Sequence, residues 1–412
     1  MYKMKDSGVE WVGKIPQDKK ILKNKYYISY FKGKKAVNIN NEGIGNAYIG
    51  ASDLDDDSHN YENFSTDTGL LTCKEDDILI LWDGARAGLA GTNHNGIVSS
   101  TICKLLLNDK IFFPKFFYWY LRGFENHLIN YAHGTTIPHM NKKYIEDIHF
   151  INWTIEEQKK ISAYLDRKCT EIEKIIALKK QQIELIKEYK KNLITETVLK
   201  GLNKNVSMKD SGVEWVGKIP EHWEVKKLKY SCNTRNEKYK SSDGKLDYFS
   251  LENIVSWDSK YIETENIYEL DGTNLCYKGD VVFGKLRPYL AKTFLVDYDR
   301  CCSSEFAVFY NFQGVAKYYL YLFTEQCFIN IVDNSTYGVR MPRANIKFIE
   351  NIFIPVPPTE EQEEIVNYLD GKCKTIDKII DLKNQQIDLL KEYKKSLIYE
   401  VVTGKKEIFQ EG

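Results

Sequence analysis

The spacing most suggestive of chemistry is Gly8-VEWV-Gly13-Lys14, repeated as Gly212-VEWV-Gly217-Lys218, both matching G-x-x-x-x-G-K. A loop that cradles phosphates needs a Ser or Thr after the lysine for Mg²⁺, an apolar strand before it and a helix behind it. Here Ile15-Pro16 and Ile219-Pro220 follow, Lys-Asp-Ser precedes, and Trp and Val would crowd the cradle. Glu188-Tyr-Lys190 and Glu392-Tyr-Lys394 have the acidic-x-Lys spacing of a nuclease site, but they sit in helical repeats where such charges form a solvated face. The nine cysteines include no C-x-x-C, Cys301 and Cys302 are adjacent, and the rest are scattered, a pattern of reduced, buried thiols rather than a metal site. Seven dispersed histidines nominate no catalytic triad, and neither H-E-x-x-H nor Asn-Pro-Pro-Tyr occurs. These residues favour binding over catalysis, with no cofactor expected.

The elements that must carry any site are set by an internal repeat. MKDSGVEWVGKIP occurs at 4–16 and again at 208–220, an offset of 204. EEQKKISAYLDRKC (156–169) matches EEQEEIVNYLDGKC (360–373), and KKQQIELIKEYKKNLI (179–194) matches KNQQIDLLKEYKKSLI (383–398), at the same offset. Between these segments, 17–153 and 221–358 share little sequence yet keep their length and the order of their landmarks. Each has an acidic turn before an apolar strand (Asp76-Asp77-ILILW; Gly279-Asp280-VVF) and a second strand (IVSSTICKLLL; CSSEFAVFY). An aromatic helical stretch, a glycine-containing loop and a closing strand (IEDIHFI; IENIFIPV) follow. Diverged residues on a retained frame are expected of two domains doing one task on different targets.

From about 155 to 199 no Pro or Gly interrupts the chain. Leu165, Cys169, Ile172, Ile176, Lys179, Ile183, Ile186, Lys190 and Leu193 step by four and three, and Leu369 through Leu397 repeat the series. This is a heptad seam of about four heptads. Each helix is about 65–70 Å long at about 1.5 Å per residue, close to two turns of DNA. An antiparallel pair would carry the globular domains to opposite ends and act as a spacer.

The expected fold is therefore α+β. Two mixed α/β domains are joined by two long antiparallel coiled-coil helices in a pseudo-two-fold tandem repeat. The boundaries are 1–153 for the first domain, 154–201 for the first helix, 202–358 for the second domain, 359–404 for the second helix and 405–412 for a tail. No run of eighteen apolar residues occurs and MYKMKDSGVEW has no apolar signal segment, which leads us to expect a cytoplasmic chain without a membrane partner. With 58 basic and 58 acidic residues the formal charge is zero, which argues against a chain that grips DNA alone.

The segments Ser7–Pro16 and 211–220, the latter running into Glu221-His222-Trp223, resemble specificity subunits of Type I restriction–modification systems. Pro355-Val-Pro-Pro-Thr-Glu-Glu-Gln362 and Glu156-Glu157-Gln158, which lead into the helices, extend the resemblance over essentially the whole chain. It implies a non-catalytic DNA-recognition subunit that reads double-stranded DNA and assembles with two methyltransferase (modification) subunits and with restriction/translocase subunits. Partners could then supply phosphate neutralisation that a neutral chain lacks. Two departures, Lys19 where the second copy has Trp223 and Ile151-Asn-Trp-Thr in place of the proline-rich entry, leave open how the first domain docks on its helix. A coiled-coil scaffold with two protein-binding domains is the alternative from another class.

Base edges are read by Arg, Lys, Asn, Gln and small side chains, whereas phosphate contacts set position. Candidates in loops after strands are Lys34, Lys35, Arg86, Thr135, Thr136, His139, Asn141 and Lys142 in the first domain. In the second they are Lys238, Lys240, Lys285, Arg287, Tyr337, Arg340, Arg343 and Asn345.

Overall fold

The computed structural model describes residues 3–55, 60–131, 138–240, 246–264, 272–336 and 341–408. The chain divides into two compact units, Met1–Lys179 with Asn384–Gly412 and Lys180–Lys383. Both long helices contribute to each unit.

Each unit holds one copy of the repeated Gly-Lys motif, and it is a hairpin. Met4–Asp6 pairs antiparallel with Lys14–Pro16, and Met208–Asp210 pairs with Lys218–Pro220 in the same register. Asp6 Oδ1 accepts from the Gly8 amide (2.8 Å), Ser7 Oγ from the Val9 amide (3.1 Å), and the Ser7 amide donates to the Gly13 carbonyl (3.0 Å). Gly8 and Gly13 both have positive φ, which the turn requires and which side chains resist. Val12 and Ile15 point into the core, as do Val216 and Ile219. With its amides used inside the turn and no helix behind it, the motif is not a phosphate cradle.

In the first unit a four-stranded sheet runs Ala90–Gly91, Ile78–Leu81, Ile102–Leu107, Ile28–Lys32, all antiparallel. The second unit has the same arrangement in Thr293–Leu295, Val281–Gly284, Phe306–Tyr310, Asn233–Arg235. The second apolar run is not one strand in either unit. IVSSTICKLLL divides into Gly96–Val98 and Ile102–Leu107 and CSSEFAVFY into Arg300–Cys302 and Phe306–Tyr310, with the two pieces in different sheets. The polar triplets Ser99-Ser100-Thr101 and Ser303-Ser304-Glu305 mark the breaks.

The aromatic stretch forms α1 (Pro114–Gly123) and α2 (Glu125–Tyr131), and a short α3 (Lys142–Glu146) precedes the closing strand His149–Ile151. After the first long helix, α4 (Ile155–Lys200), the second unit supplies α5 (Ala316–Phe323), α6 (Gln326–Asn334) and α7 (Ile346–Glu350). The last helix is α8 (Thr359–Val402). Phe116, Phe117, Tyr120 and Leu121 of α1 enter one core, and Tyr318, Tyr319, Leu322 and Phe323 of α5 enter the other.

The heptad seam is buried as its spacing requires. In the first unit Leu165, Cys169 and Ile172 of α4 share a core with Leu397, Ile398 and Val401 of α8. Lys179 Nζ donates to Gln386 Oε1 (2.7 Å) and Lys394 pairs with Glu173, so the segments run antiparallel. In the second unit Lys383 Nζ donates to Gln182 Oε1 (2.7 Å) and Lys190 pairs with Asp377 (2.7 Å). Each contact is the other's counterpart under the 204 offset. The seam lysines thus reach specific acceptors on the facing helix, which fixes register in the way polar seam residues do. Lys190 and Lys394 are tied up in these pairs, so the Glu-Tyr-Lys spacing serves the helix pair and not a nuclease site.

Candidate nucleic-acid interface

The foot of each globular domain is a set of buried polar contacts to its long helix. Gln158 donates through Nε2 to the carbonyls of Ile111 (2.8 Å) and Trp153 (2.9 Å) and accepts from the Phe113 amide (2.8 Å). Gln362 does the same with Gln313 (3.2 Å), Pro357 (3.0 Å) and the Val315 amide (2.9 Å). The Glu-Glu-Gln motif therefore closes the loop ahead of α1 or α5 onto the start of the long helix. Lys19 is buried against Glu157 (2.6 Å) and lies 4.7 Å over the Trp153 ring, whereas Trp223 Nε1 donates to the equivalent Glu361 (2.9 Å). One carboxylate position thus accepts an ammonium in one copy and an indole N–H in the other, so the first domain docks despite its departures. Trp153, in the segment that replaces the prolines, also donates to the Val402 carbonyl (3.0 Å).

At the tip, the strand Ile78–Leu81 or Val281–Gly284 runs into a tight turn clasped by the loop ahead of α3 or α7. The Trp82 amide donates to the Thr101 carbonyl (2.8 Å), the Met140 amide to Trp82 (2.8 Å) and the Gly84 amide to Pro138 (3.0 Å). In the second unit the Lys285 amide donates to Glu305 (2.8 Å), the Ala344 amide to Lys285 (2.9 Å) and the Arg287 amide to Pro342 (2.8 Å). Asn141 and Asn345 cap α3 and α7, their side-chain oxygens accepting the Lys143 and Lys347 amides (3.0 and 2.9 Å). These three backbone links and the two asparagine caps recur in both units.

The side chains on that frame do not. By their places in these bonds, Trp82 corresponds to Lys285, Asp83 to Leu286, Gly84 to Arg287, Thr101 to Glu305 and His139 to Arg343. In the first unit Lys32 pairs with Asp83 (2.7 Å), His139 Nδ1 hydrogen-bonds the other oxygen of that carboxylate, and Tyr30 stacks on Trp82 at 5.1 Å. Burial pushes the Asp83 carboxyl up, but hydrogen bonds from Lys32 and His139 outweigh it and hold the group below its usual range. In the second unit Arg343 pairs with Glu305, and Lys238 Nζ donates to Asn274 Oδ1 (2.6 Å). Burial depresses the Lys285 ammonium; Glu305 opposes this, while Arg343 and Lys238 add to it. Arg287 is exposed in the left-handed region at φ 51°, where Gly84 also has positive φ. A non-glycine residue held there is strain of the kind that gathers at functional sites.

The structure thus gathers His139 with Asp83, and Lys238, Lys285 and Arg343 with Glu305. It does not bring in Arg86, which lies 3.7 Å from Glu125 of α2. Lys34, Lys35 and Lys240 are exposed. Asn141 and Asn345 spend their acceptor oxygens on capping. Thr135, Thr136, Tyr337 and Arg340 lie outside the described residues, as does the side chain of Lys142. Lys32, Asp83, Trp82, Asn274 and Glu305 were missed. The signal that could have found Glu305 is the 204 offset itself, which sets it against Thr101 in a segment read only as a strand.

Comparison with known proteins gives two matches, at residues 12–188 and 220–392, to the Type I restriction modification DNA specificity domain. The chain belongs to this family. It is a non-catalytic chain for sequence-specific DNA recognition, with one specificity domain in each half. It is 28 % identical to the MjaVIII specificity subunit of Methanocaldococcus jannaschii, over 95 % of this chain and 94 % of that one. Identity to the Escherichia coli EcoDI specificity subunit is 24 %, over 70 % and 69 %. Among solved structures it shares the fold of a chain from a study of complex assembly and conformational transition in the type I R-M system. There the TM-score is 0.70 and the identity 14 %, covering 95 % of this chain and 99 % of that one. The HsdS subunit of Thermoanaerobacter tengcongensis gives a TM-score of 0.52 at 15 % identity, covering 95 % and 98 %. Among the described residues no helix is long and apolar enough to cross a membrane.

Proposed function

We infer that this chain reads an asymmetric, bipartite DNA target, one half-site per tip, for a Type I restriction–modification complex. One observation carries the reading: two tips with the same backbone hydrogen bonds present Trp, Asp and His in one unit and Lys, Arg and Glu in the other. Specificity resides in side chains that reach base edges, so a kept frame with exchanged side chains reads unlike sequences. The contacting residues are His139 with Lys32 and Asp83, and Lys238, Lys285, Arg287 and Arg343, while the exposed Lys34, Lys35 and Lys240, and Arg86 farther off beside Glu125, offer positive charge for phosphates. Thr135, Thr136, Lys142, Tyr337 and Arg340 remain candidates on sequence grounds. The paired helices set the unread gap.

Two methyltransferase subunits are the partners that fit the helices. In the first unit Ile175, Leu178, Leu389 and Tyr393 are exposed, and in the second their counterparts Ile379, Leu382, Leu185 and Tyr189 are too. Large apolar side chains left in solvent at helical spacing mark a surface for a partner helix. The set occurs once per unit, hence two partners, with restriction/translocase subunits joining the assembly in the cytoplasm.

The test is methylome sequencing of cells that carry this chain with its methyltransferase. A methylated motif of two unlike halves at fixed separation is expected, and no bipartite motif overturns the reading. A scaffold that binds only proteins would give no mobility shift of DNA with the methyltransferase present.

A further inference from the structure

Resting on the DNA-reading proposal above, one side chain at the second tip calls for an explanation of its own. Glu305 accepts from Arg343 Nη2 through Oε1, and its Oε2 is buried without a hydrogen-bond partner among the described residues. A carboxylate oxygen in that state is costly to keep. The frame does not require it, because the first unit makes the same backbone link with Thr101, whose hydroxyl lies 3.1 Å from that of Ser99. Nor does Glu305 cap or tie the core. Its carboxylate lies among the cations of the tip, with Arg343 paired to it and Lys285 and Lys238 close enough to feel its charge or each other's.

We propose that Glu305 is a positioning residue that holds the Arg343 guanidinium for bidentate reading of guanine, so that the second half-site contains a G·C pair at a position the first tip has no means to read alike. Three neighbouring segments fix the geometry. Lys285 donates its amide to the Glu305 carbonyl, Ala344 donates to the Lys285 carbonyl, and Arg343 is thereby aligned over the start of Phe306–Tyr310. Arg343 is held through Nη2 by Glu305, and its side chain remains 49 % accessible, so the guanidinium is tethered yet within reach of a ligand. Guanidinium carries five N–H donors in a rigid fork, and guanine O6 and N7 accept two of them. Without Glu305 the fork would rotate freely and its charge would serve any phosphate nearby. His139, at the equivalent place, is held by Asp83 and offers no fork.

The experiment is methylome sequencing of the complex of full-length chain and methyltransferase, in wild type and in Arg343→Lys, Glu305→Gln and Glu305→Met. Arg343→Lys keeps the charge and loses the fork. Glu305→Met removes the acceptor at similar volume, and Glu305→Gln retains a neutral one. Arg343→Lys and Glu305→Met should relax the same single G·C position of one half by about tenfold or more, with Glu305→Gln intermediate and the other half unchanged. The unchanged half controls for folding. A uniform change across both halves overturns the inference, as expected if Glu305 only tempers the charge of the tip. Relaxation at an A·T pair, or at different positions in the variants, overturns it too. A wild type with no bipartite motif would instead defeat the DNA-reading proposal itself.

Discussion

The foot and the tip of each domain treat substitution in opposite ways. At the foot, Gln158 and Gln362 make the same three hydrogen bonds, and even the Lys19-for-Trp223 exchange leaves Glu157 and Glu361 satisfied. At the tip, only the backbone bonds and the capping asparagines are shared, and the exchanged side chains build unrelated clusters. A buried contact constrains residue type because an unpaired polar group costs the fold, while a half-exposed tip held by main-chain bonds leaves its side chains free to follow the target.

The sharpest way to break this contrast is at the buried glutamines. Gln158→Leu and Gln362→Leu each strand one amide and two carbonyls, and each should cost about 3 kcal/mol or more in chemical denaturation. Clearly unequal losses would show that the two feet are not equivalent. Next, Lys19→Met removes the ammonium from the half-buried Glu157, which keeps its Thr154 hydrogen bonds, and should cost about 2 kcal/mol. Lys19→Trp, which recreates the second copy's indole donor, should recover part of that loss, and no recovery would mean that the two solutions are not interchangeable.

A pH series sharpens the same point. Burial raises the Glu157 carboxyl, but hydrogen bonds from Lys19 and Thr154 outweigh it and bring the group below its ordinary 4.5. A depressed carboxyl stabilises the fold above its unfolded value, and that contribution is lost as pH falls through the folded value. Urea midpoints should therefore drop between about pH 5 and pH 3, and Lys19→Met should flatten the drop. The smallest effect belongs to the tip: Asn141→Ala and Asn345→Ala each remove a helix cap and should cost about 1 kcal/mol in thermal melts. A larger loss would mean that the asparagines support more of the tip than their short helices.

Much of the frame was legible in the residues, because it is written in periodicity and in repetition. The 204 offset gave two like halves, the three–four spacing gave the seam, and the Ile-Pro ending of the Gly-Lys motif excluded a phosphate loop. The division of IVSSTICKLLL into strands of two sheets was not legible, since a short polar stretch, Ser99-Ser100-Thr101, in an apolar run does not say that the chain changes sheet. The sites were less legible still. Arg and Lys in loops could be nominated, but Asp83 and Glu305, the carboxylates that organise them, look like any acidic residue near a strand.

By itself the sequence determined the repeat, the helices and their facing stripes, for local spacing and burial dictate those. Only the tertiary structure decided which residues meet at each tip. That meeting depends on backbone hydrogen bonds between segments some twenty to sixty residues apart, and no local pattern encodes which side chains such bonds bring together.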